Sequence, residues 1–183
     1  MGTVSPVLGR LFVVHKHAAR QLHFDLRLEM EGVLKSWAVP KGVPLERAEK
    51  RLAMEVEDHP LEYGKFEGVI PEGNYGAGTV MLWDRGTYEV LESEPFAALQ
   101  AGKLHIALRG KKLNGEWRLV RMRGRNEDEK RAWLLIKSGE SHKPVPASQE
   151  DRSVSSGRSM DEIARGKSRV WKSNRARVEV TDR

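Results

Sequence analysis

The chain of 183 residues contains no cysteine. That absence excludes a disulfide framework, a thiolate zinc site and a cysteine nucleophile, so any transition metal must be held by histidine and carboxylate side chains. No stretch approaches the roughly 18 consecutive apolar residues that a membrane span needs. The opening residues, Met1-Gly2-Thr3-Val4-Ser5-Pro6, show no basic region leading into an apolar core, which argues against a secretory signal and for a cytoplasmic setting with no membrane partner. Aromatic residues are sparse at 7% and charged residues abundant at 32%. The length suits one domain, or one domain with an extension.

Basic residues outnumber acidic ones 32 to 26, for a net charge of +6. Residues 143–183 hold ten of the former and six of the latter, and they are rich in serine and poor in large apolar side chains. Such a segment reads as a flexible basic tail, either simply solvated or able to bind a polyanion. The division expected is therefore a domain over residues 1–142 and a basic, disordered tail over 143–183.

Within the first 142 residues, strand signals dominate. Residues 22–30 alternate strictly, with Leu22, Phe24, Leu26, Leu28 and Met30 on one face and His23, Asp25, Arg27 and Glu29 on the other. Glu31-Gly32 is a hairpin signal leading to a strand over 33–39. Residues 45–50 suit a helical turn before a strand over 51–57. Strands over 79–83 and 87–91 flank a hairpin signal at Asp84-Arg85-Gly86. A short helix over 94–101 ends at Gly102. Strands over 103–108, 117–122 and 133–137 follow, with Asn114-Gly115 as a turn signal. Many short strands with brief polar connections predict a mainly β fold, a compact antiparallel barrel with one or two short helices. The glycine-rich stretch 68–78 precedes a strand and opens no helix, so it lacks the phosphate cradle of a dinucleotide fold and reads as a tight loop that needs positive φ.

The chemistry concentrates in two places. On a strand, His23, Asp25 and Arg27 project from the same face at intervals of about 6.6 Å. His17 lies six residues upstream, within reach of His23. Two imidazoles and a carboxylate form a facial set that leaves coordination positions open, and Arg27 beyond them offers a fork for phosphate. A solvated strand face carrying chance histidines has the same spacing. The second place runs from Arg51 to Tyr63. Read as an unbroken strand, Arg51, Glu57 and His59 share one face, with Tyr63 just beyond as a hydrogen-bond donor and Lys41 at the end of an apolar strand. Together these are parts for metal-assisted phosphoryl chemistry. His105 lies in an alternating strand, and His15 is close enough to His17 to serve as a supporting group. His-x-Asp spacing with His105 also permits a facial-triad iron oxygenase, and basic charge alone permits a non-catalytic nucleic-acid-binding barrel.

Four runs carry a family resemblance. Residues 14–29, with Val14-His15-Lys16-His17 and His23-Phe24-Asp25-Leu26-Arg27, resemble the 3′-phosphoesterase module of bacterial DNA ligase D. So do Trp37-Ala38-Val39-Pro40-Lys41-Gly42, Glu57-Asp58-His59-Pro60-Leu61-Glu62-Tyr63 and Phe66-Glu67-Gly68-Val69-Ile70-Pro71-Glu72-Gly73-Asn74-Tyr75-Gly76. The resemblance spans residues 11–138 and implies a β-barrel end-processing enzyme of non-homologous end joining that prefers manganese. It implies metal binding by His17, His23 and Asp25, and a scissile phosphate held by Arg27 and His59 with Tyr63 alongside. It also implies phosphate or nucleic-acid contacts from Lys41 and Arg51, with Glu57 in the site. The implied substrate is a primer strand or DNA end carrying a 3′-ribonucleotide or 3′-phosphate. The implied partners are a separate ligase, polymerase and end-binding protein, in a nucleoid-associated setting. His59 is expected to act as imidazolium. The arm Met1 to Arg10 has no Asp or Glu, where members of this family often carry acidic residues that support phosphate-monoester removal, so diester cleavage is the step more firmly implied.

Overall fold

The structure, a computed structural model, describes residues 9–166, 169–173 and 178–182. Its strands are β1 Arg10–Ala18, β2 Leu22–Met30, β3 Val33–Val39, β4 Lys50–His59, β5 Gly68–Ile70, β6 Gly78–Val90, β7 Lys103–Gly110, β8 Asn114–Arg121, β9 Ala132–Ser138, β10 Arg169–Ser173 and β11 Val178–Asp182. Two short helices, α1 Pro95–Ala101 and α2 Met160–Arg165, and two 3₁₀ turns complete the described elements. Strands pair in the order β1-β2-β3-β4-β9-β8-β7-β6, and β6 pairs back with β1, closing an eight-stranded antiparallel barrel. At eight strands the interior is just wide enough to be filled by side chains. Trp37, Trp117, Trp133, Tyr88, Phe12, Leu26 and Leu28 fill it here.

The hairpin at Glu31-Gly32 sets the register that matters for the site. Both residues take positive φ, and Met30 pairs with Val33. Counting back from that turn places Arg27 opposite Ser36 and Asp25 opposite Ala38. Across the other edge of β2, Asp25 faces His15 and His23 faces His17. One face of β2 enters the barrel core. The other face is largely covered: Asp25 and Arg27 are buried on it, and the 3₁₀ turn Leu61–Lys65, β5 and β10 pack beside it through a second apolar cluster of Leu34, Tyr63, Phe66, Ile70, Val80 and Trp171.

Three local expectations change. Residues 78–90 form one strand, β6, rather than two strands around a hairpin. Buried Asp84 does not turn its own chain; its carboxylate accepts the backbone N–H groups of Lys111, Lys112 and Leu113 and so caps the β7–β8 connection. Gly86 is required for close strand approach, since a Cβ there would meet the Arg109 carbonyl at 2.0 Å. Asn114-Gly115 accordingly begins β8, and the turn falls just before it. Residues 45–49 form an irregular turn, in which the N–H groups of Leu45 and Glu46 donate to the Glu49 carboxylate, and Lys50 already begins β4.

The segment from residue 143, expected as a solvated extension, departs from that expectation as far as residue 166. Val145 and Ile163 join the barrel core. Trp83 Nε1 donates to the Glu150 carbonyl, and Val154 N–H donates to Leu82 O. Ser159 and Glu162 form a capping box that starts α2. Low average hydrophobicity concealed a few apolar residues spaced to meet the barrel. The arm over residues 1–8, residues 167–168 and 174–177, and residue 183 lie outside the described residues.

Candidate metal and phosphate site

The barrel's outer wall over β1, β2 and β3 carries a row of buried polar side chains, and β4 extends it. His17 Nδ1 lies 3.5 Å from Asp25 Oδ2, and His23 Nε2 lies 3.2 Å from Asp25 Oδ1. One ligand atom from each of His17, His23 and Asp25 can be chosen so that all lie within 4.8 Å of one another; among the described residues no other such group forms. His17 Nε2 is buried and has no hydrogen-bond partner. A buried polar atom left unpaired in a two-imidazole, one-carboxylate cluster is what a site built for a divalent transition metal provides. The residues present therefore fit a metal.

Asp25 is anionic at all ordinary pH. Burial by itself would raise its pKa, but the Arg27 guanidinium at 3.3 Å and hydrogen bonds from His17 and His23 hold it well below the usual carboxylate range. For His23, burial opposes the charge, yet the hydrogen bond to Asp25 carries its pKa upward.

Arg27 is fixed on every side. Nε donates to His15 Nδ1 at 2.9 Å, Nη1 to Ser36 Oγ at 2.9 Å and Nη2 to Asp25, while the guanidinium lies 4.7 Å from the Tyr63 ring centre. His15 is fully buried, and its Nε2–H donates to the Phe66 carbonyl at 3.0 Å. Those two bonds fix one neutral tautomer, and burial together with Arg27 pushes its pKa well down.

His59 reaches the site through a bulge. Between the pairs Leu34–His59 and Ser36–Val56, β4 spends three residues where β3 spends two. That extra residue puts His59 on the Val56 side rather than with Arg51, contrary to the unbroken alternation expected from the sequence. His59 Nδ1–H donates to Glu57 O at 2.8 Å, which leaves Nε2 available to a ligand. Burial, then the Arg27 charge, lowers its pKa to about 3, so in the free protein His59 is neutral and not the expected imidazolium. Tyr63 packs edge-on against both His15 and His59, and burial pushes its phenol up to about 12, leaving it a proton donor.

His17, His23, Asp25, Arg27, Glu57, His59 and Tyr63 all line one cavity of about 370 Å³. Tyr75, from the glycine-rich loop, and Trp171, from β10, line it as well. The structure does not bring Lys41 or Arg51 to that lining. Arg51 donates to the carbonyls of Lys41 and Gly42 and to the Glu49 carboxylate, holding the connection after β3, and Lys41 is exposed there. His105 sits with Glu116 and Ser138 on the β7–β9 wall, so it forms no triad with His23 and Asp25.

The sequence does not single out Ser36 or Trp171, and it offers His15 only as a supporting group. The signal for His15 is that positions 15 and 17 share a strand face, and Ser36 follows from counting across the Glu31-Gly32 turn. Trp171 has no local signal at all.

The family model for the DNA Ligase D 3'-phosphoesterase domain matches residues 15–121. A Pseudomonas aeruginosa multifunctional non-homologous end joining protein LigD is 52% identical over 127 residues, which cover 69% of this chain and 15% of that protein. A Mycobacterium tuberculosis multifunctional non-homologous end joining DNA repair protein LigD is 46% identical over 126 residues, covering 67% of this chain and 16% of that protein. The chain thus spans about one-sixth of the length of these relatives.

Proposed function

The chain belongs to the DNA ligase D 3′-phosphoesterase domain family, and from that premise we propose that it is a metal-dependent phosphoesterase acting on DNA 3′ ends in non-homologous end joining. Its substrates are primer-template strands or DNA ends that carry a 3′-terminal ribonucleotide, which it removes as the nucleoside, and 3′-phosphates, which it removes more slowly. Polymerase, ligase and end-binding functions would work with the healed 3′-hydroxyl end, in a cytoplasmic, nucleoid-associated setting.

The observation that carries this reading is the convergence of His17, His23 and Asp25 with Arg27, His59 and Tyr63 around one cavity. A divalent metal, manganese by preference, bound by the first three would supply Lewis-acid polarisation of a phosphate oxygen. Arg27 meets the phosphate already oriented, because His15, Ser36 and Asp25 hold its guanidinium, so little reorganisation accompanies charge development. The Tyr63 phenol keeps its proton and donates a hydrogen bond. His59 enters neutral, and an arriving phosphate anion beside it favours protonation, so its ring can take up a proton as the complex forms. Lys41 and Arg51 would contribute at the cavity's approach, Arg51 by fixing the segment that carries Lys41.

The test is a 5′-labelled primer ending in one ribonucleotide, incubated with and without manganese. We expect metal-dependent loss of the terminal nucleoside, abolished separately by His17→Ala, His23→Ala and Asp25→Ala. Near-normal turnover in any two of these variants at saturating manganese overturns the assignment.

A further inference from the structure

We propose that Trp171, supplied by the C-terminal segment, is a positioning residue for the active site that acts by holding Tyr63. The proposal rests on the phosphoesterase reading above and extends it to a part of the chain that the family model, ending at residue 121, does not reach.

The C-terminal segment is built into both the barrel and the site. Ile163 of α2 is fully buried in the barrel core. Glu67, itself buried just before β5, accepts Ser156 Oγ at 2.6 Å on one carboxylate oxygen and Leu82 N–H on the other, clamping the segment beside the site. From there β10 pairs in parallel with β5, with Val170 opposite Val69. That pairing delivers the Trp171 indole, 3% exposed, to a ring-centre distance of 4.8 Å from Tyr63 and 5.4 Å from Phe66.

Tyr63 is the hub of the phosphate-binding groups. Its ring meets His15 at 4.9 Å, His59 at 4.8 Å and the Arg27 guanidinium at 4.7 Å. It sits on a five-residue 3₁₀ turn, and its ring is surrounded by His15, His59, Phe66 and Trp171. Position is therefore imposed by packing, and Trp171 forms the wall that comes from outside the matched domain. Without the indole, the Tyr63 ring gains rotational freedom and the alignment of Arg27 and His59 loosens with it. Small displacements of positioning groups lower turnover steeply. Trp171 and Phe66 also contact each other, so the wall is continuous and not a single stacked pair.

The experiment uses the full chain with Trp171→Ala, Trp171→Phe, Tyr63→Leu and the double variant Tyr63→Leu/Trp171→Ala. Release of the terminal ribonucleoside at saturating manganese is measured as kcat and KM, and the tyrosine ring signals are followed by NMR. The chain has three tyrosines, 63, 75 and 88, and Tyr63→Leu assigns the first. For Trp171→Ala we expect kcat to fall roughly tenfold with KM little changed, and Trp171→Phe to restore most of it. In the Tyr63→Leu background, Trp171→Ala should change kcat by less than about twofold, since a residue acting through another is not additive with it. The Tyr63 resonances should shift and broaden while those of Tyr88 stay in place. Additive effects, unmoved Tyr63 resonances, or a kcat equal to wild type in Trp171→Ala would each overturn the proposal. If the wild-type protein released no nucleoside while its Tyr63 signals still responded to Trp171→Ala, the reaction assignment would fall and the packing of Trp171 on Tyr63 would stand.

Discussion

Replacing Asp25 by alanine should damage the protein twice, once through the metal and once through Arg27. The side chains of Asp25 and Arg27 are 6% and 3% exposed, so the carboxylate is the counter-charge of a buried guanidinium. Removing one partner of a buried pair costs about 3–5 kcal/mol, because the other charge is left uncompensated. Here Arg27 keeps His15 Nδ1, Ser36 Oγ and the Tyr63 ring, which offset part of the loss, so about 3 kcal/mol is expected. For a chain of this size that corresponds to a fall in Tm of roughly 6–12 °C. The second effect appears with manganese. A ligand at 100 times its Kd stabilises the folded state by about 2.7 kcal/mol, so wild type should gain a comparable rise in Tm and Asp25→Ala should gain none. Thermal unfolding by circular dichroism, with chelator and then with manganese, reads both effects in one pair of scans. A variant melting within about 1 °C of wild type in chelator would refute the buried-pair argument. A variant retaining the manganese-induced shift would refute the ligand argument. Acid provides a check of sign: Asp25 has its pKa depressed in the folded state, so its stabilisation is complete above about pH 4 and declines as pH falls below that value.

Buried neutral histidine gives the same direction in a higher window: the pKa of His59 is about 3 when folded and about 6.5 when unfolded, so stability should fall as pH drops through that interval. His59→Asn should flatten that slope by up to about 1 kcal/mol per pH unit in urea titrations, and an unchanged slope would show that His59 is accessible to protons in the native state. Ile163→Ala should cost about 2–4 kcal/mol in chemical denaturation, because its side chain is fully buried against the barrel; a solvated tail would show no change. A time course resolving ribonucleoside-, phosphate- and hydroxyl-ended strands should show the 3′-phosphate accumulating, since residues 1–10 hold no carboxylate. Direct appearance of the hydroxyl end would assign the monoesterase step to another acidic group, with Glu57 on the cavity lining the first to replace.

Much of the site is written locally. Strict alternation over residues 22–30 fixes which side chains leave β2 together, and the positive-φ turn at Glu31-Gly32 fixes what they face, so His23, Asp25, Arg27 and Ser36 follow from periods of two and one hairpin count. The α1 stop at Gly102, with φ of 75°, is equally local. Tertiary structure decided the rest. The β4 bulge that turns His59 toward Arg27 depends on β3 pairing, and a period-2 reading cannot register one extra residue. Asp84 looks like a turn residue until its carboxylate meets N–H groups nearly 30 positions away. The neutral state of His59 comes from burial and from the Arg27 charge, which strand pairing brings beside it. The segment after residue 143 has too few apolar residues to announce a core, yet Ile163 and Trp171 need only the barrel surface that the rest of the fold supplies. Periodicity and turn chemistry act within a few residues, whereas burial, bulges and charge state belong to contacts that exist only after the barrel closes.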